Sequence, residues 1–198
     1  MSNFKYDLGV VGLGYVGLPL AVESANEGLK VIGYDVNSDR VQEIISGKSP
    51  IEDISDIELS KALNNFNATV DPALLSKCQH IVISVPTPLT DYQPDLSYVE
   101  AAAKSVGENL VSNQVIILES TTYPGTTLEV LVPNLEKYSN LRAGSDFFVG
   151  YSPERIDPGN KEWKFKNTPK VISGINEDSL EKINSFYKKI IDETVVVK

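Results

Sequence analysis

Three glycines in the run Gly12-Leu13-Gly14-Tyr15-Val16-Gly17 constrain this chain more than any other feature. The run follows the apolar segment Leu8–Val11, opens a helical stretch over Tyr15–Glu27, and is followed by a second apolar segment, Lys30–Tyr34. A strand, a glycine turn, a helix and a strand form the unit that holds a dinucleotide. The first glycine permits the tight turn, the second lets a pyrophosphate reach the backbone, and the third lets helix and strand pack closely. The helix N-terminus then offers free N–H groups and a partial positive charge to the phosphates. Gly12, Gly14, Tyr15, Val16 and Gly17 are the expected phosphate loop. Asp35 closes the second strand, 18 residues past Gly17. A carboxylate there accepts from the adenosine ribose hydroxyls and repels a 2′-phosphate, which favours NAD over NADP. The competing reading makes Asp35 a helix cap and the glycines mere turn residues. Arg40, five residues on, lies along the adenosine or is a solvated helix-surface arginine.

The same alternation continues to the end of the chain. Asn37 caps a helix to about Ser46, with Gly47 as its stop. Ser55-Asp56-Ile57-Glu58-Leu59 opens a short helix, and Ala68–Val70 is a short strand. Strands are expected at Ile81–Val85, Val115–Leu118, Phe147–Tyr151, Lys170–Ser173 and Thr194–Val197. Helices are expected at Leu96–Leu110 with Asp95 as cap, at Thr126–Tyr138 with a kink or break at Pro133, and at Glu177–Ile191. Strands apolar throughout, separated by helices, predict a mostly parallel sheet covered on both faces. The fold class is therefore α/β, doubly wound and Rossmann-like, with residues 1–198 as one domain.

Composition excludes several alternatives. At 41% hydrophobic and 23% charged, the chain has enough apolar material for one sizeable core. A net charge of −9 argues against a nucleic-acid or anionic-membrane binder. Cys78 and His80 are the single residues of their kinds, so a disulfide, a Cys-rich metal site and a Ser-His-Asp triad have little to draw on, and no metal is expected. No apolar run approaches a membrane span and no signal core opens the chain, which leads to an expected cytoplasmic location. The final Val195-Val196-Val197-Lys198 has no polar tail after it, so a fragment of a longer protein is expected.

Three later strand ends carry polar residues toward the edge where open α/β sheets bind ligands. They are Ser84-Val85-Pro86-Thr87-Pro88, Glu119-Ser120-Thr121-Thr122-Tyr123-Pro124-Gly125, and Ser152-Pro153-Glu154-Arg155-Ile156-Asp157-Pro158-Gly159. Ordinary turn chemistry also accounts for such residues, and a neighbouring Glu and Arg is commonly a surface pair. Lys161, Lys164 and Lys166 around Trp163 face a substrate or form a solvated loop. Cys78 reads as a free buried thiol and His80 as a strand-edge residue.

Together the GLGYVG loop, Asp35 with Arg40, VPTP at 85–88, ESTTYPGTT at 119–127 and SPERIDPG at 152–159 resemble the UDP-glucose/GDP-mannose 6-dehydrogenases. The resemblance runs over essentially the whole chain and corresponds to that family's N-terminal domain. The SPER segment resembles the branch acting on UDP-N-acetylhexosamines. The resemblance implies oxidation of a UDP-sugar 6-hydroxyl to a carboxylate as two NAD are reduced, in the supply of surface-polysaccharide precursors, by a protein that is homodimeric at full length. It implies capture of an aldehyde by a cysteine as a thiohemiacetal, oxidation to a thioester, and hydrolysis. Carried over by position, Thr121 and Glu154 are the water-positioning and acid–base residues. Thr87, Ser120 and Thr121 lie on the nicotinamide side, Asp35 and Arg40 on the adenosine side, and Glu154, Arg155 and Ile156 line the hexose pocket. An extra residue between Thr121 and Pro124, compared with the glucose enzymes, leaves Thr121 and Thr122 as alternatives. The family's nucleophilic cysteine lies beyond this segment, and Cys78 does not replace it, so this chain alone is expected to be inactive. The alternatives are an NAD-dependent dehydrogenase of another substrate class and a non-catalytic NAD-binding module.

Overall fold

The structure, a computed structural model, describes residues 4–90, 93–154 and 165–197. In chain order the elements are β1 (Tyr6–Val11), α1 (Gly17–Asn26), β2 (Val31–Tyr34), α2 (Ser38–Ile45), α3 (Asp56–Ala62), β3 (Phe66–Thr69) and β4 (Cys78–Ile83). A two-stranded antiparallel pair follows, β5 (Leu89–Thr90) with β6 (Gln93–Pro94), then α4 (Ser97–Gly107), β7 (Val115–Leu118) and α5 (Val132–Ser139). The last elements are β8 (Phe148–Tyr151), β9 (Lys170–Gly174), α6 (Glu177–Tyr187) and β10 (Thr194–Val196).

Local chemistry sets the helix ends. The Asn37 side chain accepts from the backbone N–H groups of Asp39 and Arg40, and Gly47 after α2 has a left-handed φ of 79°. Ser55 and Glu58 form a reciprocal capping box at the start of α3. Asp95 accepts from Ser97 N at 2.9 Å, one residue ahead of the α4 N-cap. Pro133 splits its helix as anticipated. A π-helical turn at Thr127–Leu131 precedes α5, which carries the proline in its first turn, where a missing N–H costs least.

The main sheet runs β10-β9-β8-β7-β4-β1-β2-β3. From β3 to β8 every pairing is parallel, in the order of a dinucleotide-binding fold. Side chains alternate between two core layers. Leu8, Val10, Val82 and Ile117 pack with α1, α2, α3 and α6 on one face. Val11, Ile81, Ile83, Ile116 and Leu118 pack with α4 and α5 on the other. The strands are buried on both sides, which is why they read as unbroken apolar runs.

Several element ends differ from the sequence reading by one to four residues. Strand β4 starts at Cys78 and stops at Ile83, so Ser84 and Val85 belong to the loop beyond it. His80 lies inside β4, between β1 and β7, and not at a strand edge. Helix α6 ends at Tyr187, before Ile191. The larger departure is β9, which runs antiparallel to β8 through Gly150–Gly174 and Tyr151–Ser173, with β10 parallel to β9. The start of β9 therefore lies at the carboxyl edge of the parallel strands. Hydropathy along the chain carries no information about strand direction, since both orientations bury the same faces.

Candidate functional site

A cleft of about 570 Å³ opens at the carboxyl edge of the parallel strands. Its walls come from the glycine turn after β1, the loops after β2, β4 and β7, helix α4, and Glu154 after β8. This is where an open α/β sheet reverses its strand order and binds ligands.

The three glycines divide their tasks physically. Gly12 has φ 92°, a conformation that L side chains rarely adopt. A Cβ on Gly17 would sit 1.9 Å from the Gly12 carbonyl oxygen and 2.4 Å from Ser84 Oγ, so this position is closed by packing. A Cβ on Gly14 would meet nothing within 4 Å, although Gly14 lines the cleft. The Ser84 hydroxyl donates to the carbonyls of Val11 and Gly12 at 3.2 and 3.1 Å and pins the turn to the β4 loop. Helix α1 starts at Gly17 with neither a capping side chain nor an acidic residue in its first turn. Its N-terminus thus keeps the positive end of the dipole for an anion, and open space over Gly14 admits one. These residues fit a dinucleotide pyrophosphate. Tyr15 and Val16 line the same wall.

Asp35 is 5% exposed. Its Oδ2 accepts from Leu13 N at 2.8 Å and from Arg40 Nη1 at 3.1 Å, and its Oδ1 accepts from Asn37 N at 2.9 Å. Two backbone donors fix the carboxylate, and a carboxylate has about four acceptor sites. Capacity remains for a ribose hydroxyl. Arg40 lines the cleft and gives Asp35 one of its five N–H donors. Val36 and Tyr98, exposed apolar residues on the same rim, were not foreseen as part of the site, because nothing local in sequence brings α4 to the β2 loop.

The loops after β4 and β7 are tied together. Thr87 Oγ1 donates to the Thr121 carbonyl and Ser120 Oγ donates to the Val85 carbonyl at 2.7 Å. Thr87, Ser120 and Thr121 all line the cleft. Thr121 lies on the cleft wall, and Thr122 is not among its lining residues. Glu154 closes the far end, with its side chain 12% exposed. Arg155, Ile156, Lys161, Trp163 and Lys164 lie outside the described residues. Lys166 pairs with Glu27 Oε1 at 2.6 Å and does not line the cleft.

Beside Glu154, and reaching the cleft through Glu119, lies a polar cluster that the sequence reading missed. Lys170, at the start of β9, pairs with Glu119 Oε1 and reaches Glu154 Oε2 at 3.4 Å. Tyr187 OH donates to Glu119 Oε2 at 2.8 Å. Burial pushes the Glu119 carboxyl up to about 7, with Lys170 opposing and Glu154 adding to the shift. Burial alone would lower the Lys170 ammonium, but the charges of Glu119 and Glu154 outweigh it and raise it. The available signal was a glutamate closing one apolar strand and a lysine opening another.

The other two singled-out residues are structural. Cys78 is buried, and burial pushes its thiol up to about 12. His80 stacks on Phe186 with ring centroids 4.6 Å apart, and its Nδ1 lies 2.9 Å from the Asp7 carbonyl oxygen. Burial lowers its imidazole to about 4.

Residues 6–191 match the model of the UDP-glucose/GDP-mannose dehydrogenase family, NAD binding domain. The chain belongs to this family. Its cofactor is accordingly NAD. A UDP-N-acetyl-D-glucosamine 6-dehydrogenase of Pseudomonas aeruginosa is 43% identical over 96% of this chain and 44% of its own length. Protein CapL of Staphylococcus aureus is 41% identical over 93% of this chain and 43% of its own length. Among solved structures, a UDP-D-ManNAc dehydrogenase from Pyrococcus horikoshii superimposes with a TM-score of 0.91 at 33% identity, covering 96% of this chain and 46% of that one. The chain thus spans less than half the length of these family members. Among the described residues, no helix is long and apolar enough to cross a membrane.

Proposed function

We propose that this chain is the NAD-binding domain of a UDP-sugar 6-dehydrogenase that oxidises the 6-hydroxyl of a UDP-N-acetylhexosamine to a uronic acid, a precursor for surface polysaccharide. The observation that carries the reading is the single cleft wall that joins Asp35, the glycine turn, Thr87, Ser120, Thr121 and Glu154 in that order along the sheet edge. The similarity to dehydrogenases named for UDP-N-acetylhexosamines supports the sugar class. The complete enzyme is a cytoplasmic homodimer in this reading, and the nucleophilic cysteine and half of the sugar pocket come from outside these residues.

When bound, NAD supplies the hydride acceptor. The chain's own residues hold it and set the geometry. The N-terminus of α1 binds the pyrophosphate, and Asp35 accepts from ribose hydroxyls while its charge disfavours a 2′-phosphate. The bonds from Thr87 and Ser120 lock two loops into one rigid wall on the nicotinamide side. Thr121 positions a water, and Glu154 takes its proton as that water attacks the thioester. Arg155 and Ile156 contact the hexose.

The test uses the full-length protein that carries this domain. It should reduce two NAD per UDP-N-acetylhexosamine, whereas the 198-residue chain alone should reduce none. Steady NADH production by the purified chain, or failure of the full-length protein to oxidise any UDP-sugar, would overturn the reading.

A further inference from the structure

Glu119, which lines the cleft as Glu154 does, Lys170 and Tyr187 form a cluster beside the proposed base, and the mechanism above does not use them. Glu119 follows β7 with its side chain 0% exposed, and Lys170 opens β9 with its side chain 5% exposed. Only because β9 is antiparallel to β8 does Lys170 reach the carboxyl edge, where Glu119 and Glu154 also end. Tyr187 arrives from the last turn of α6. Charges this buried are strongly disfavoured unless they are paired and hydrogen-bonded. Here one ammonium serves two carboxylates. Two carboxylates on one buried ammonium leave a net charge of about −1 when both are ionised, so the group favours taking up one proton between them.

We propose that Glu119 and Lys170 are positioning residues for Glu154, forming a buried carboxylate–ammonium–carboxylate bridge, backed by the Tyr187 hydroxyl, in which both carboxyls are ionised before the step and the one proton that Glu154 takes up is then shared with Glu119. This rests on the reading of Glu154 as the base. The step balances without any added reactant. A proton taken from water by Glu154 passes to Glu119, and the net charge of the bridge goes from −1 to 0. The groups facing Glu119 are Lys170 from β9, Tyr187 from α6 and Glu154 from the segment after β8.

The experiment is a pH titration of the chain labelled with ¹³C at the Glu side-chain carboxyls, with the two signals assigned by Glu119→Gln and Glu154→Gln. In the wild type both signals should inflect over the same pH range, because they share one proton. Glu119→Gln should abolish that inflection in Glu154. Tyr187→Phe removes a donor to the carboxylate and should move the shared inflection up by about half a unit or more. Lys170→Met should move it further, and Lys170→Arg should largely restore it. In the full-length dehydrogenase, Tyr187→Phe should move the acid limb of the kcat profile by the same amount as the NMR inflection, which a purely structural bridge would not do. If Glu154 titrates without regard to Glu119, or if Tyr187→Phe leaves both the inflection and the kcat limb in place, the proposal is wrong. The titration does not depend on turnover. A shared inflection in a protein whose Glu154→Gln variant is fully active would instead overturn the assignment of Glu154 as the base.

Discussion

Gly14 and Gly17 lie three residues apart on one turn, yet alanine at each should fail in opposite ways. At Gly17 the added Cβ would lie 1.9 Å from a backbone oxygen, and real Cβ atoms essentially never approach within 3.0 Å. The contact is with the Gly12 carbonyl, which is held by the turn and by Ser84, so no flexible side chain can yield. The cost falls at or above the top of the ~1–3 kcal/mol typical of overpacking. At roughly 2–4 °C per kcal/mol for a domain of this size, Gly17→Ala should lower Tm by about 5–10 °C. At Gly14 there is no neighbour within 4 Å and no positive φ. Alanine there restricts the unfolded chain and should raise stability by up to ~1 kcal/mol. Its methyl group occupies the space the pyrophosphate needs, so NAD affinity should fall about tenfold or more, equivalent to ~1.4 kcal/mol. Scanning calorimetry and titration calorimetry on the two variants separate the effects. A Gly14→Ala variant that binds NAD like the wild type, or a Gly17→Ala variant that melts with it, would refute this account of the turn.

Three further outcomes are expected. Cys78 should resist a thiol reagent at pH 8 in the native chain and react on unfolding, because burial leaves almost no thiolate; rapid native labelling would show that the site opens. His80 has its imidazole lowered from the usual 6.5 to about 4, so the unfolded chain binds more protons between those values and stability should fall as pH drops through them. Unfolding free energies of wild type and His80→Gln should diverge in the variant's favour by up to ~3 kcal/mol over that window, with the opposite trend from Glu119 cancelling in the difference. In the full-length enzyme, Glu154→Gln should slow steady turnover by ~10²–10⁴ while sparing the first hydride transfer, so a burst of NADH and a covalent sugar adduct should appear by intact mass. Wild-type turnover with no adduct would return Glu154 to an ordinary turn residue.

The parts of this molecule that could be read from sequence are those encoded locally. The glycine turn, the Asn37 cap, the Ser55–Glu58 box and the break at Pro133 each depend on residues within a few positions of one another. The apolar runs fixed the strands because both faces of the sheet are covered. What stayed hidden depends on long-range pairing. The reversal of β9 and the meeting of Glu119 with Lys170 and Tyr187 join residues 51 and 68 positions apart. The ion pair between Arg40 and Asp35 is local, but the spacing alone did not announce it.

Paired calorimetric titrations of NAD and NADP into this chain, with Asp35→Ala as the control, test the central assignment most directly. The cleft holds a fixed, buried carboxylate beside the glycine turn; with the ribose at Asp35 as proposed, NAD should bind at one site and NADP at least about tenfold more weakly, a difference of ~1.4 kcal/mol. Asp35→Ala should narrow that gap. Equal affinities, or a preference for NADP, would contradict the assignment of Asp35 and with it the direction in which the cofactor lies across the sheet.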